Sequence, residues 1–328
     1  EGTTLTAAGA NTQFTTGTDE TVIAPGGTAG VLSAVIKVQA KDSNGNVLAN
    51  GKKIAAVISG PGVAGGTATD VDTYGNGSRY EEVTLAGGTG LAYFGIYSDG
   101  TTGKSTISIY AGSVLIATET VVFHGTPTKV TVKQNLKVAP KAGGVINTAA
   151  NSAIAAPTGA DVDHTPAVSV SVTDKDGLPV SGQTVTAVTS DALVMSNALT
   201  CTESNGLGAG DGYAGEGTYN CVVSSVSNAS GKSATLTFRV PDGITSGVYV
   251  SAAPVTFTLG GAVAKVTVST DKASYNPGEK GTLTVKAVDA SGNAVADDDY
   301  ANLFATGGIA GSTSFLSLIH ISEPTRPL

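Results

Sequence analysis

The chain has 328 residues, room for two or three domains that each bury a core of their own. Its 44 glycines, 13% charged residues and 5% aromatics, with no tryptophan, suit many short strands joined by tight turns rather than helices or disorder. A net charge of −8 leaves no basic surface to neutralise phosphates, which argues against a nucleic-acid partner, and no apolar run approaches the roughly 18 residues needed to cross a membrane. At Glu1 there is no charged-then-apolar leader, so a secretory signal was either removed or never present.

Read in order, residues 1–125 form a first unit, with strands expected near 31–40, 53–58, 81–85, 91–97, 105–110 and 114–123. Turns at Asn44-Gly45, Asn76-Gly77 and Asp99-Gly100 separate them, and the Gly-, Thr- and Asp-rich stretch 59–79 reads as a long surface loop. A second unit, 126–260, opens on Lys129-Val130-Thr131-Val132. It carries two insertions, the Ala/Gly/Pro-rich 139–166 and a Gly-rich stretch bracketed by Cys201 and Cys221. The third unit, 261–315, opens on the same words, Lys265-Val266-Thr267-Val268, and reads as partial. Tyr97-Ser98-Asp99-Gly100 and Val240-Pro241-Asp242-Gly243 look like a further echo between units one and two. Residues 316–327 resemble a translated sequencing adapter, so 316–328 is expected to be a non-native tail and His320 no part of any site.

One element recurs in all three units: an alternating strand, Asp-x-x-Gly, and a second apolar strand. The turns are Asp42–Gly45, Asp174–Gly177 and Asp289–Gly292. Two, four and six residues before the Asp stand Ala40, Val38 and Ile36; Val172, Val170 and Val168; Ala287, Val285 and Leu283. That period of two marks one buried face. Six residues after it come Leu48, Val180 and Val295. Asp first and Gly fourth is type I turn chemistry: the carboxylate accepts a backbone N–H two residues on, and Gly takes the left-handed exit.

Catalytic constellations are missing. Outside the tail the histidines are His124, at the boundary between units one and two, and His164, beside a turn; each reads as a surface or hinge residue. No Ser or Cys stands in a strand–elbow–helix context. Asp70 and Asp72 could pair as in a glycosidase, but without tryptophan there is little to line a sugar cleft. The chain is therefore expected not to be an enzyme. Calcium is the stronger candidate ligand, because it takes six to eight oxygens that loops at a sandwich end can gather. The candidate ligands are Asp161, Asp163, Asp297, Asp298 and Asp299, with Asp42, Asp70, Asp72, Asp174 and Asp176 as further oxygens; for the turn aspartates, capping their own backbone is the competing role. Cys201 and Cys221 read as a disulfide in a secreted chain, or as two small buried thiols. Asn76-Gly77-Ser78 and Asn228-Ala229-Ser230 fit the acceptor triplet for N-linked sugar.

The pattern apolar-x-Val-x-apolar-x-Asp-x-x-Gly-x-x-Val resembles bacterial immunoglobulin-like repeats of the invasin and intimin type, which also build surface-layer proteins and surface filaments. The resemblance implies an all-β chain of tandem Ig-like β-sandwiches, although units one and two both exceed the roughly 100 residues usual for that fold. It implies a secreted structural protein that self-assembles into a cell-surface layer or extracellular filament, with Ca2+ as a candidate stabiliser. The expected partners are copies of itself and, as a further candidate, cell-surface glycan. The alternative is an adhesin stalk whose binding head lies C-terminal to these units.

Overall fold

The computed structural model describes residues 2–7, 21–67, 77–140, 167–203, 217–274, 276 and 280–296. All of the regular structure among them is β.

Unit one contains β1 (Gly2–Ala7), β2 (Val22–Pro25), β3 (Leu32–Gln39), β4 (Lys53–Ser59), β5 (Val63–Thr67), β6 (Tyr80–Thr84), β7 (Leu91–Tyr97), β8 (Gly103–Ala111) and β9 (Val114–His124). They form two sheets, ordered β1-β3-β7-β5 and β2-β9-β8-β4-β6, with every pairing antiparallel except β2 with β9. The alternation along β3 and β8 delivers Ile36, Val38, Ile107 and Ile109 to the space between the sheets. There they meet Ile54, Phe94, Ile96 and Phe123 in one core.

Strand β5 corrects the reading of 59–79 as a loop. Val63-Ala64-Gly65-Gly66-Thr67 pairs antiparallel with β7. Its glycines disguise it, yet they are what the strand needs, since a Cβ at Gly66 would sit 2.1 Å from the Tyr93 carbonyl oxygen.

Unit two repeats the plan with β10 (Lys129–Gln134), β11 (Val168–Thr173), β12 (Thr186–Thr189), β13 (Met195–Glu203), β14 (Thr218–Ser225), β15 (Ser233–Pro241), β16 (Tyr249–Ser251) and β17 (Val255–Thr258). One sheet is ordered β10-β11-β14-β13. In the other β15 pairs with β12, β16 and β17. Between them Val168, Val170, Val172, Tyr219, Leu236, Phe238 and Phe257 form the core. The Tyr219 hydroxyl donates to the Val180 carbonyl at 3.0 Å and accepts the Gln183 N–H at 2.8 Å, tying the segment after the Asp174 turn to the sheet. Cys201 and Cys221 stand directly opposite each other on β13 and β14 and are bonded, with an S–S distance of 1.97 Å. In unit three, β18 (Lys265–Thr270) pairs with β19 (Leu283–Val288).

This strand order fixes which sequence echoes are real. β7 pairs with β3 and β5, as β14 pairs with β11 and β13, whereas β8 and β15 hold the matching place in the second sheet. Tyr97-Ser98-Asp99-Gly100 therefore follows the strand before β8, while Val240-Pro241-Asp242-Gly243 closes β15. Those two stretches are not equivalent. The Asp-x-x-Gly turns are, and each follows the second strand of the first sheet in its unit.

Candidate functional site

The three turns agree bond for bond. Gly45, Gly177 and Gly292 have φ of 82°, 79° and 81°, and each donates its N–H to the carbonyl of the turn Asp at 3.0, 3.1 and 3.0 Å. In each turn the aspartate Oδ1 accepts two backbone N–H groups, from the second and fourth residues after it. The donors are Asn44 and Asn46 for Asp42, Asp176 and Leu178 for Asp174, and Ser291 and Asn293 for Asp289. One carboxylate oxygen thus builds the turn.

In the second and third turns the other oxygen reaches outside the unit. Oδ2 of Asp174 accepts the N–H of Gly125, the residue that leads out of unit one, at 2.8 Å. Oδ2 of Asp289 accepts the N–H of Gly261, which leads out of unit two, at 3.2 Å, and also a hydrogen bond from the Ser230 hydroxyl. Both aspartates are buried, 3% and 5% exposed, so water does not compete for these bonds. Each joint is therefore closed by a carboxylate of the downstream unit reaching back to the linker of the upstream one.

Further contacts surround both joints. At the first, His124 Nδ1–H donates to the Gly125 carbonyl at 2.7 Å, and its Nε2 lies 3.2 Å from Ser181 Oγ. Ser181 Oγ also lies 3.2 Å from the Ile23 carbonyl of unit one. Burial pushes the His124 pKa below the ordinary imidazole value, against the opposing pull of the Gly125 carbonyl and the Asp174 charge. Thr102 donates to Asp176 at 3.4 Å across the same joint. At the second, the Gly260 N–H donates to the Val138 carbonyl at 2.9 Å. A Cβ on Gly260 would lie 2.3 Å from the Ala294 oxygen and 2.6 Å from the Ala296 nitrogen, so unit three packs against bare backbone there. The Ser230 hydroxyl is the first of the donors that hold the Asp289 pKa well below the usual carboxylate range.

The sequence-expected site residues fall differently. Asp161, Asp163, Asp297, Asp298 and Asp299, with Asp70, Asp72 and His164, lie outside the described residues. Asp42, Asp174 and Asp289 act on backbone N–H groups, and among the described residues no three His, Cys, Asp or Glu gather as metal ligands. Of the two sugar-acceptor triplets, Asn76 lies outside the described residues, and Ser230 of the second is engaged in the joint. Sequence reasoning missed the linker glycines. The signal was present: Gly125 and Gly261 each stand four residues ahead of Lys-Val-Thr-Val, in a Gly-x-x-x-Lys-Val-Thr-Val pattern.

Among the described residues no helix is long and apolar enough to cross a membrane. No protein family matches the chain by sequence, and no curated protein does. Among solved structures it is similar to invasin, a bacterial integrin-binding protein, at 16% identity and a TM-score of 0.29, over 90% of this chain and 48% of that one. It is similar to FdeC, an Escherichia coli adhesin, at 16% identity and a TM-score of 0.29, over 90% of this chain and 77% of that one. It is also similar to domains 4–9 of the surface layer protein SbsC, at 19% identity and a TM-score of 0.25, over 80% of this chain and 32% of that one. The chain thus spans about half of the invasin structure and about a third of the SbsC structure. Its own strand order, two facing sheets in each of units one and two, and its repeated turns make it an all-β chain of tandem Ig-like units.

Proposed function

We propose that the chain is building material of a secreted bacterial surface protein, its Ig-like units held in series and self-assembling into a surface layer or extracellular filament. The observation that carries this reading is the carboxylate-to-linker bond made in the same way at both joints. A chain whose units are pinned to one another transmits position and force along its length, and many weak contacts between such chains sum through multivalency. A net charge of −8 makes a divalent cation, Ca2+ above all, the fitting cement between neighbouring copies. Cell-surface glycan would be a secondary partner. The test is electron microscopy and sedimentation of the purified chain with and without Ca2+. Ordered arrays or filaments are expected. A chain that stays monomeric at every calcium concentration refutes self-assembly, and arrays that persist in EDTA refute the calcium clause.

The joints also favour a second reading, an adhesin stalk in which these units hold a binding head away from the cell. A chain that remains monomeric with calcium, together with loss of attachment by cells lacking the protein, selects the stalk.

A further inference from the structure

Two of the three repeated turns are joints; the third has the same build, and among the described residues no backbone N–H reaches its second oxygen. Asp42 Oδ1 accepts the N–H groups of Asn44 and Asn46, both at 2.9 Å, just as its counterparts do. Its Oδ2 accepts the Asn46 side-chain amide at 3.3 Å. That amide does not use up the oxygen. Asp289 receives the equivalent bond from Asn293 at 3.2 Å and still accepts Gly261 and Ser230 on the same atom. Asp42 is exposed where Asp174 and Asp289 are buried.

A second, independent sign lies just beyond the turn. Val180 and Val295, six residues after their aspartates, are 0% and 1% exposed, and Ala296 is 3% exposed. The equivalent Leu48 is only half-buried, and Ala49 is exposed. Val180 lies in the core of unit two and Leu48 packs against that of unit one, but the next position is met by the preceding unit in two cases, Ser181 by His124 and Ile23 and Ala296 by Gly260, whereas its unit-one equivalent, Ala49, stands open beside the free carboxylate oxygen.

Strand register says what would cover it. Lys129 pairs with Thr173 and Lys265 with Val288, in each case the residue before the turn aspartate, and the donor glycines lie four residues ahead of those lysines. In unit one Gly2 pairs with Gln39, so the position opposite Lys41 is the one immediately ahead of Glu1. The matching donor falls five residues ahead of Glu1. We propose that the Asp42 turn is the acceptor half of a third joint, closed by the exit of a further Ig-like unit joined upstream, whose linker delivers a backbone N–H to Asp42 Oδ2. The donor residue is small, since a Cβ at Gly261 would already lie 3.1 Å from the Asp289 oxygen.

The test extends the full chain with a copy of residues 1–129 placed directly ahead of Glu1, which sets the copied Gly125 five residues before it. Amide exchange is followed by NMR with glycine-selective labelling, with the original Gly125 as internal reference. The copied Gly125 is expected to be protected like the original. Asp42→Asn, which keeps an oxygen for the turn but replaces the second acceptor with a donor, should speed its exchange roughly tenfold or more while leaving the original joint unchanged. An extension of residues 126–265, which puts Gly261 in the same place, repeats the test with a different unit. A donor glycine that exchanges like an unstructured one in both extended chains overturns the proposal. So does protection that Asp42→Asn leaves intact. If the unextended chain associates end to end and Asp42→Asn dissociates it, the turn belongs to a second copy and the upstream joint is refuted.

Discussion

Asp174→Asn separates the two jobs of one side chain. The turn needs one oxygen, which accepts Asp176 and Leu178 N–H groups at 2.9 Å each; the joint needs the other, which accepts Gly125 N–H at 2.8 Å. Asparagine supplies one oxygen and one amide. Kept toward the turn, it sets its amide against the Gly125 N–H, donor facing donor; flipped, it closes the joint and sacrifices two turn bonds. The turn-preserving arrangement loses the smaller number of bonds and should win. A hydrogen bond to a charged acceptor is worth about 1.5–3 kcal/mol, so the joint should open about 10- to 150-fold more often. Burial of Asp174 at 3% exposure places the effect in that range and not near zero. Exchange at the Gly125 amide should accelerate by that factor, while the unfolding of unit two, followed by urea titration, moves little. Asp174→Ala removes all three bonds and should lower unit-two stability as well. Unchanged exchange at Gly125 in the asparagine variant would refute the assignment of Oδ2 to the joint.

Gly260→Ala should wedge open the second joint, because its methyl would lie 2.3 Å from the Ala294 oxygen, at a cost of about 1–3 kcal/mol. Gly125→Ala, whose nearest outside atom is 3.4 Å away, should leave small-angle scattering of the chain almost unchanged. Acidification should loosen the joints in order. His124 holds its proton less tightly in the closed joint than when exposed, so closure weakens as pH falls below the ordinary imidazole value of 6.5. Asp289 is depressed below the ordinary 3.8, so its contribution survives to that value and is lost only as pH falls further; scattering across a pH series reads both steps. Reducing the Cys201–Cys221 bond, whose partners are separated by 20 residues, should cost unit two about 3 kcal/mol in the chain-entropy model and shift its melting transition without moving that of unit one.

Much of the fold was legible because a half-buried strand writes its burial into alternate residues. Ile36, Val38, Val168 and Val170 face the cores as their spacing required. β5 was not legible: Gly65 and Gly66 look like loop residues until the close approach of β7 explains them. The turns were readable, including the bond from the carboxylate to the N–H two residues on. The joints were not, because Gly125 and Asp174 lie 49 residues apart and nothing local to either says that they meet. The resemblance between Tyr97–Gly100 and Val240–Gly243 shows the converse hazard: tight turns reuse a small alphabet, and alike words stood at unlike places.

Each joint draws its acceptor from the unit that comes later in the chain. A polypeptide emerging N-terminus first would complete unit one with its outgoing linker still unpinned, and only the folding of the next Asp-x-x-Gly turn would fasten it. Rigidity would then spread in the direction of synthesis, one unit behind the growing end, the youngest segment still supple while the older ones have already stiffened.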